Sequence, residues 1–160
     1  MLTLRLRSGR SGQRHGRGGQ SLAEFALILP ILLLITLVGL DFGRAFFSWV
    51  TLNNAARVGA NYAGLNPNTS FAAASTYDTL IRNDGANGAC AIASGAPPQP
   101  VFADSGLDSN STTKDLGDNV TVTLSCPFRM LTPIIGAITG NPITISASST
   151  FTIRTGEFKP

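Results

Sequence analysis

The sequence predicts an α+β fold: a long N-terminal transmembrane helix that continues outside the membrane and packs on a small antiparallel sheet. Three observations predict it. An uncharged apolar run fills residues 25–40 of a 160-residue chain. Apolar and small residues then recur at three- and four-residue steps, the period of a helix face. Near the C-terminal end, two stretches alternate strictly between apolar and polar side chains, the period of a half-buried strand. Three parts follow: a basic cytoplasmic leader over 1–19, a membrane-spanning and emerging helix over 20–63, and a small extracytoplasmic domain over 64–160.

Charge supports that division. Charged residues make up 13% of the chain, against about 25% in an ordinary soluble domain. Twelve basic residues face nine acids, for a formal charge of +3. Five of the basic residues are Arg5, Arg7, Arg10, Arg14 and Arg17, all ahead of the first acid, Glu24. Removing the leader leaves 7 basic against 9 acidic side chains, a formal −2. The basicity belongs to the leader, which argues against a nucleic-acid-binding body. His15, the one histidine, lies there too. The body therefore has no histidine for a Ser-His-Asp triad, a zinc site or a general base. Two cysteines cannot supply four metal ligands, and no phosphate-binding or dinucleotide-binding glycine motif is present. No enzyme and no cofactor is expected.

The first element is the apolar run. Sixteen residues at 1.5 Å each span about 24 Å, somewhat short of a hydrocarbon core of about 30 Å. Leu22 and Ala23 before it and residues 42–50 after it complete the reach. The run is apolar all round, and so small a chain has no core that could hide it. Arginines cluster on its N-terminal side, which puts the N-terminus in the cytoplasm by the positive-inside rule. Phe46, Phe47 and Trp49 then fall at the outer interface, where amphipathic rings are favoured. A cleaved signal peptide is the competing reading, but Val38, Gly39, Leu40 and Asp41 make a poor small-x-small site.

Gly18, Gly19, Gln20, Ser21, Leu22, Ala23, Glu24 and Phe25 stand where the leader meets the run. Glycine followed five residues later by glutamate resembles the prepilin-peptidase site of type IV pilins and pseudopilins. The resemblance implies cleavage between Gly19 and Gln20, with Glu24 fifth in the mature chain. A carboxylate at the edge of a membrane helix is costly unless paired. The new amine of Gln20 on a neighbouring subunit is a suitable partner. The alternative is that Glu24 marks the helix end, where an acid suits the helix dipole.

Further blocks sharpen the resemblance. The opening Glu24, Phe25, Ala26, Leu27, Ile28, Leu29, Pro30 is followed by Asp41, Phe42, Gly43, Arg44. A small-residue stretch, Asn53, Asn54, Ala55, Ala56, Arg57, Val58, Gly59, Ala60, comes next. Over residues 18–64 the chain is similar to the TadE-like family, pseudopilins of tight-adherence (Flp-type) pilus systems. Phe25 stands where the major pilins carry tyrosine, which suits a minor, TadE-like protein. The resemblance implies a pilin-like fold and a place in the bacterial cytoplasmic membrane. It also implies partners: a prepilin peptidase, other pilins or pseudopilins, the inner-membrane assembly platform and membrane lipid, with no nucleic acid.

The remaining elements follow in order. Pro30 removes a backbone donor inside the helix and predicts a kink, either serving fibre packing or simply tolerated in lipid. Asp41 and Arg44, three residues apart, share a face and can pair, or can meet a partner helix. Phe42, Ala45, Phe46, Trp49, Leu52, Asn53, Ala56, Ala60 and Ala63 form a stripe expected to be covered by the protein's own domain. Gly64, Leu65, Asn66 and Pro67 stop the helix. A short helix is predicted over 70–82, with Phe71, Ala74, Tyr77, Asp78 and Ile81 near one face. Irregular backbone follows to 118, around Pro97, Pro98 and Pro100.

Residues 119–126 and 142–147 read as strands joined through 130–141, with 149–154 also β-prone. Residues 89–93 and 101–102 could add edge strands. The matches to a glycosylation acceptor at Asn68, Asn110 and Asn119 are expected by chance in this composition. Valine, leucine, isoleucine and phenylalanine make up 22 of the 97 residues from 64 to 160, near the roughly 20% at which chains stop folding. A Cys90–Cys126 disulfide in an oxidising compartment would contribute roughly 4 kcal/mol; two unrelated thiols are the alternative.

The function expected is that of a non-enzymatic TadE-like minor pseudopilin, processed after Gly19 and taking part in Flp/Tad pilus assembly. The alternative is an unprocessed single-pass protein that presents a small extracytoplasmic binding module. An RNA-binding role for the arginine-glycine leader is a third class, but topology already accounts for those arginines.

Overall fold

The structure, a computed structural model, describes residues 18–85, 88–92, 94–105 and 114–155. The leader arginines, His15 and Asn110 lie outside the described residues. The expected class is the observed one. A long N-terminal apolar helix, α1 (Gly18–Leu65), packs on a three-stranded antiparallel sheet. The chain forms two compact units, residues 1–35 and 36–160, and α1 contributes to both.

The described part of the first unit is the start of α1. Its apolar side chains are exposed on every face, from Leu22, Phe25 and Leu27 to Leu33 and Ile35. The helix runs through Pro30. It is the one helix among the described residues long and apolar enough to cross a membrane, its most apolar 18-residue window having a mean hydropathy of 2.5.

The second unit is built on the rest of α1. Strand β1 (Val101–Ala103) pairs with β2 (Asn119–Phe128), which pairs with β3 (Ile143–Thr152), in the order β1-β2-β3. In β2 the apolar set Val120, Val122, Leu124, Cys126 and Phe128 is buried at every second position, as the pleat requires. The register sets Val120 opposite Phe151 and Cys126 opposite Ile145. On the outer face, the Thr121 and Thr150 hydroxyls lie 2.8 Å apart and those of Thr123 and Ser148 lie 3.1 Å apart. Residues 142–147 and 149–154, read as neighbouring β-prone stretches, are one continuous strand. The short edge strand expected at 101–102 is β1.

The core is one cluster in which β2 meets Leu52, Ala55, Ala56, Ala60 and Ala63 of α1. Tyr77 and Ile81 complete it from α2 (Thr76–Gly85). Alanine and glycine set the closeness of that approach. A Cβ added at Gly59 would stand 2.8 Å from Ile81 Cγ2, and one at Gly64 would stand 2.6 Å from Phe151 Cδ1.

Helix α2 starts later than the predicted 70–82. Ala74 has φ +62°, which no helix can include. Ser75 then caps the helix: its hydroxyl accepts the Asp78 N–H at 3.2 Å, while Asp78 accepts the Ala74 N–H at 3.0 Å. Phe71 and Ala74 therefore precede the helix, and only Tyr77, Asp78 and Ile81 of the predicted face lie on it. The Ala74 N–H, and then the Arg82 guanidinium 2.6 Å away, hold the Asp78 carboxyl below its ordinary range.

Two further differences concern connections. No strand forms among the described residues of 89–93. The Ala89 N–H is taken by the Ser48 hydroxyl at 2.8 Å, and Cys90 is bonded to Cys126, so side chains hold the segment in place of a ladder. Between β2 and β3 lies a helix the sequence reading left out, α3 (Pro133–Thr139), with Thr132 as its N-cap residue and proline at its first position.

Candidate functional site

The processing residues inferred from the sequence stand at the start of α1. Gly18 and Gly19 open the helix, and a Cβ at Gly19 would meet nothing within 4 Å. Glycine disfavours the helical backbone, so the pair is a weak point of the helix. Gln20 and Glu24 are exposed one turn apart, with Gln20 Nε2 donating to Glu24 Oε1 at 3.2 Å. The first turn itself contains no acid. Glu24 lies past the turn in which the dipole acts, so the dipole accounts poorly for its presence.

A second junction forms around Asp41, which is only 6% exposed. Arg44 Nη1 donates to Asp41 Oδ1 at 3.1 Å. The other bonds reach 90 residues along the chain. The Leu131 N–H donates to both carboxylate oxygens at 2.9 and 3.0 Å, and the Thr132 N–H donates to Oδ2 at 2.8 Å. The Thr132 hydroxyl donates to the same oxygen at 2.7 Å. The Arg44 guanidinium carbon sits 5.2 Å from the centroid of the buried Phe128 ring. Together Asp41 and Arg44 fasten α1 to the end of β2 and the start of α3. The partner that competes for Asp41 is the protein's own loop.

The stripe expected on α1 is covered from Leu52 through Ala56, Ala60 and Ala63, but not over its aromatic start. Phe42 is 73%, Phe46 56% and Trp49 47% exposed. The covered face runs through Asp41, Ser48, Leu52, Ala55, Ala56, Gly59, Ala60 and Ala63, with Ala45 partly covered. The difference is one of height along the helix. From Leu52 onward small side chains let α1 lie close to β2, whereas Phe42, Phe46 and Trp49 stand nearer the apolar run and about a quarter turn from the covered face.

Cys90 and Cys126 form a disulfide with a Cα–Cα distance of 5.7 Å. It ties the segment after α2 to the centre of the sheet. Among the described residues no three histidine, cysteine or acidic side chains gather as a metal site. A groove of about 550 Å³ between α1, α2 and β3 is lined by Asn54, Arg57, Asn61, Tyr62 and Phe151, among others, without an acid or a histidine.

The sequence of features along α1 is thus a glycine pair, a glutamate one turn into an apolar helix, the Asp41 and Arg44 junction, and a small-residue face. Residues 19–61 match the family model of the TadE-like proteins. The TadE-like segment starts at Gly19 and contains Gln20, Glu24, Asp41, Arg44 and most of the small-residue face. It agrees with the resemblance carried by the sequence blocks. The sheet, α2, α3 and the disulfide lie outside the matched segment. No curated protein and no solved structure matches the chain.

Proposed function

We propose that this chain is a non-enzymatic TadE-like minor pseudopilin, anchored in the bacterial cytoplasmic membrane and taking part in Flp/Tad pilus assembly. The observation that carries this reading is the TadE-like match over residues 19–61, which starts at the glycine of the inferred cleavage site and runs along the apolar helix. The leader would lie in the cytoplasm, as its five arginines favour, and the domain built on β1–β3 would lie outside. A prepilin peptidase would cut between Gly19 and Gln20. Cleavage gives Gln20 an α-amine with an ordinary pKa of about 7.7–8.0, largely cationic at neutral pH. In an assembly, that amine on one subunit would pair with Glu24 of a neighbour and set their axial offset. Asp41 and Arg44 would keep the outer domain fixed to its helix while other pilins and the inner-membrane platform engage it.

A second reading is an unprocessed single-pass protein presenting a binding module. One observation favours it: Gln20 already gives Glu24 a hydrogen-bond partner in its own chain. Mass spectrometry of the N-terminal peptide separates the two, from membranes with and without a prepilin peptidase. A peptidase-dependent chain beginning at Gln20 is expected. A chain that keeps the leader under both conditions overturns the pseudopilin reading and leaves the second.

A further inference from the structure

We propose that the β2–β3 connection, residues 130–142, is a second membrane contact. It would seat Leu131 and Ile138 among the lipid acyl chains of the leaflet where the apolar run of α1 ends. The inference rests on the membrane-spanning reading of α1 given above.

Position is the first argument. The N–H groups of Leu131 and Thr132 are bonded to Asp41, the residue that directly follows the apolar run. Ile135 of α3 and Val38 of α1 line one cleft of about 250 Å³, together with Phe42, Met130 and Ile143. Val38 lies inside the run, three residues before Asp41 and so about 4.5 Å along the helix. The rings expected at the outer interface, Phe46, Phe47 and Trp49, come 5–8 residues after Asp41, about 8–12 Å along the helix, so the connection is held on the hydrocarbon side of them.

Chemistry is the second argument. Ile138 is 81% and Leu131 59% exposed, the former more than any other large apolar side chain described. Between Asp118 and Arg154 the one charged residue is Arg129, which is exposed at the base of the connection. A cation beside an apolar tip suits lipid phosphates above and acyl chains below.

The third argument is the backbone. Lipid offers no hydrogen bonds, so a segment that enters its boundary must satisfy its own polar groups. Here the Leu131 and Thr132 N–H groups are taken by Asp41. The Met130 N–H is taken by Asn141 Oδ1, and the Met130 carbonyl by Asn141 Nδ2. The Gly136 N–H donates to the Thr132 carbonyl. Asp41 thus acts as more than a fastener: it prepares the loop backbone for a medium without water.

The test uses full-length protein in phospholipid vesicles. Trp49, the one tryptophan, is replaced by phenylalanine, and a new tryptophan is placed by Ile138→Trp, Leu131→Trp or Leu33→Trp in separate proteins. Lipids brominated on the acyl chains then quench rings that touch them. Leu33→Trp, within the run, reports whether α1 is in the bilayer at all. Quenching at 131 and 138 comparable to that at 33, independent of protein-to-lipid ratio, is the expected result. A ring at 138 with a water-like spectrum and no quenching, beside a quenched ring at 33, overturns the proposal and leaves the spanning helix intact. A blue-shifted but unquenched ring at 138 means that protein covers the face, which also overturns it. Absence of quenching at 33 removes the membrane reading itself, and the proposal with it.

Discussion

Replacing Asp41 by alanine withdraws the acceptor from the Leu131 N–H, the Thr132 N–H and the Thr132 hydroxyl in one step. Thr132 is 2% exposed, so water has little access to its N–H or its hydroxyl in the native arrangement. A buried donor left unpaired costs roughly 1–3 kcal/mol. The hydroxyl can rotate towards another acceptor, and Leu131, being more open, can recover part of its loss from water. A net cost of about 3 kcal/mol follows, which lowers Tm by about 10 °C for a unit of this size. Asp41→Asn keeps one acceptor oxygen and gives up the bond to Arg44, so it should cost about half as much.

The assay is thermal unfolding of full-length protein in detergent, followed by near-UV circular dichroism of the tyrosines and Trp49. Thr132→Val removes one of the same bonds. Together with Asp41→Ala it should fall short of additivity by about 1–2 kcal/mol, as expected for groups sharing one network. A Tm for Asp41→Ala within about 2 °C of the parent protein, or full additivity in the cycle, would refute the reasoning.

Three further outcomes follow from the packing and the charges. Gly59→Val should destabilise by about 1–3 kcal/mol, because its side chain enters space held by Ile81, Tyr77 and Val122. Gly43→Ala, in open space on the same helix, should raise stability by about 0.5–1 kcal/mol, and urea midpoints compare the two. The double variant Cys90→Ser, Cys126→Ser should lower the urea stability by roughly 4 kcal/mol, with no further effect of reductant. Burial, and then the charge of Asp78, push the Tyr77 phenol up from 10.0 to about 12. The folded state therefore keeps a proton that the unfolded state loses. This contribution is whole below pH 10 and vanishes as pH rises towards about 12, so urea midpoints should fall across that window less steeply in Tyr77→Phe than in the parent.

Local patterns carried most of the fold. Strand β2 was legible because Val120, Val122 and Leu124 alternate with threonine and serine, and α1 because a long uncharged run allows few other structures. The start of α2 was also written locally, in Ser75 and Asp78 at capping-box spacing, but the apolar Phe71 and Ala74 drew the predicted helix too far back. Helix α3 left a faint trace in Thr132 followed by Pro133, too short a signal to stand out within a connection. The α1 stripe was legible over Leu52, Ala56, Ala60 and Ala63, but not how far down the helix it is covered, because nothing local marks where the packed domain stops. At the candidate site, the roles proposed for Gly19, Gln20 and Glu24 rest on a local spacing. That Asp41 should bind Leu131 and Thr132 could not be read from the sequence, because nothing in either segment marks a partner 90 residues away.

Two faces of α1 lie about a quarter turn apart and answer to different demands. From residue 41 to 64, one face is filled by the protein's own sheet, while the other carries Phe42, Phe46 and Trp49 outward. Mutation therefore reads this one helix as two interleaved messages. Bulky replacements at Ala55, Ala56, Gly59, Ala60 or Ala63 lower the amount of folded protein by destabilising it. Replacements at Phe42, Phe46 or Trp49 spare the amount of folded protein and change only what it meets. A positional scan that scores abundance and a scan that scores surface assembly would each oscillate with the helical period, about a quarter turn out of step.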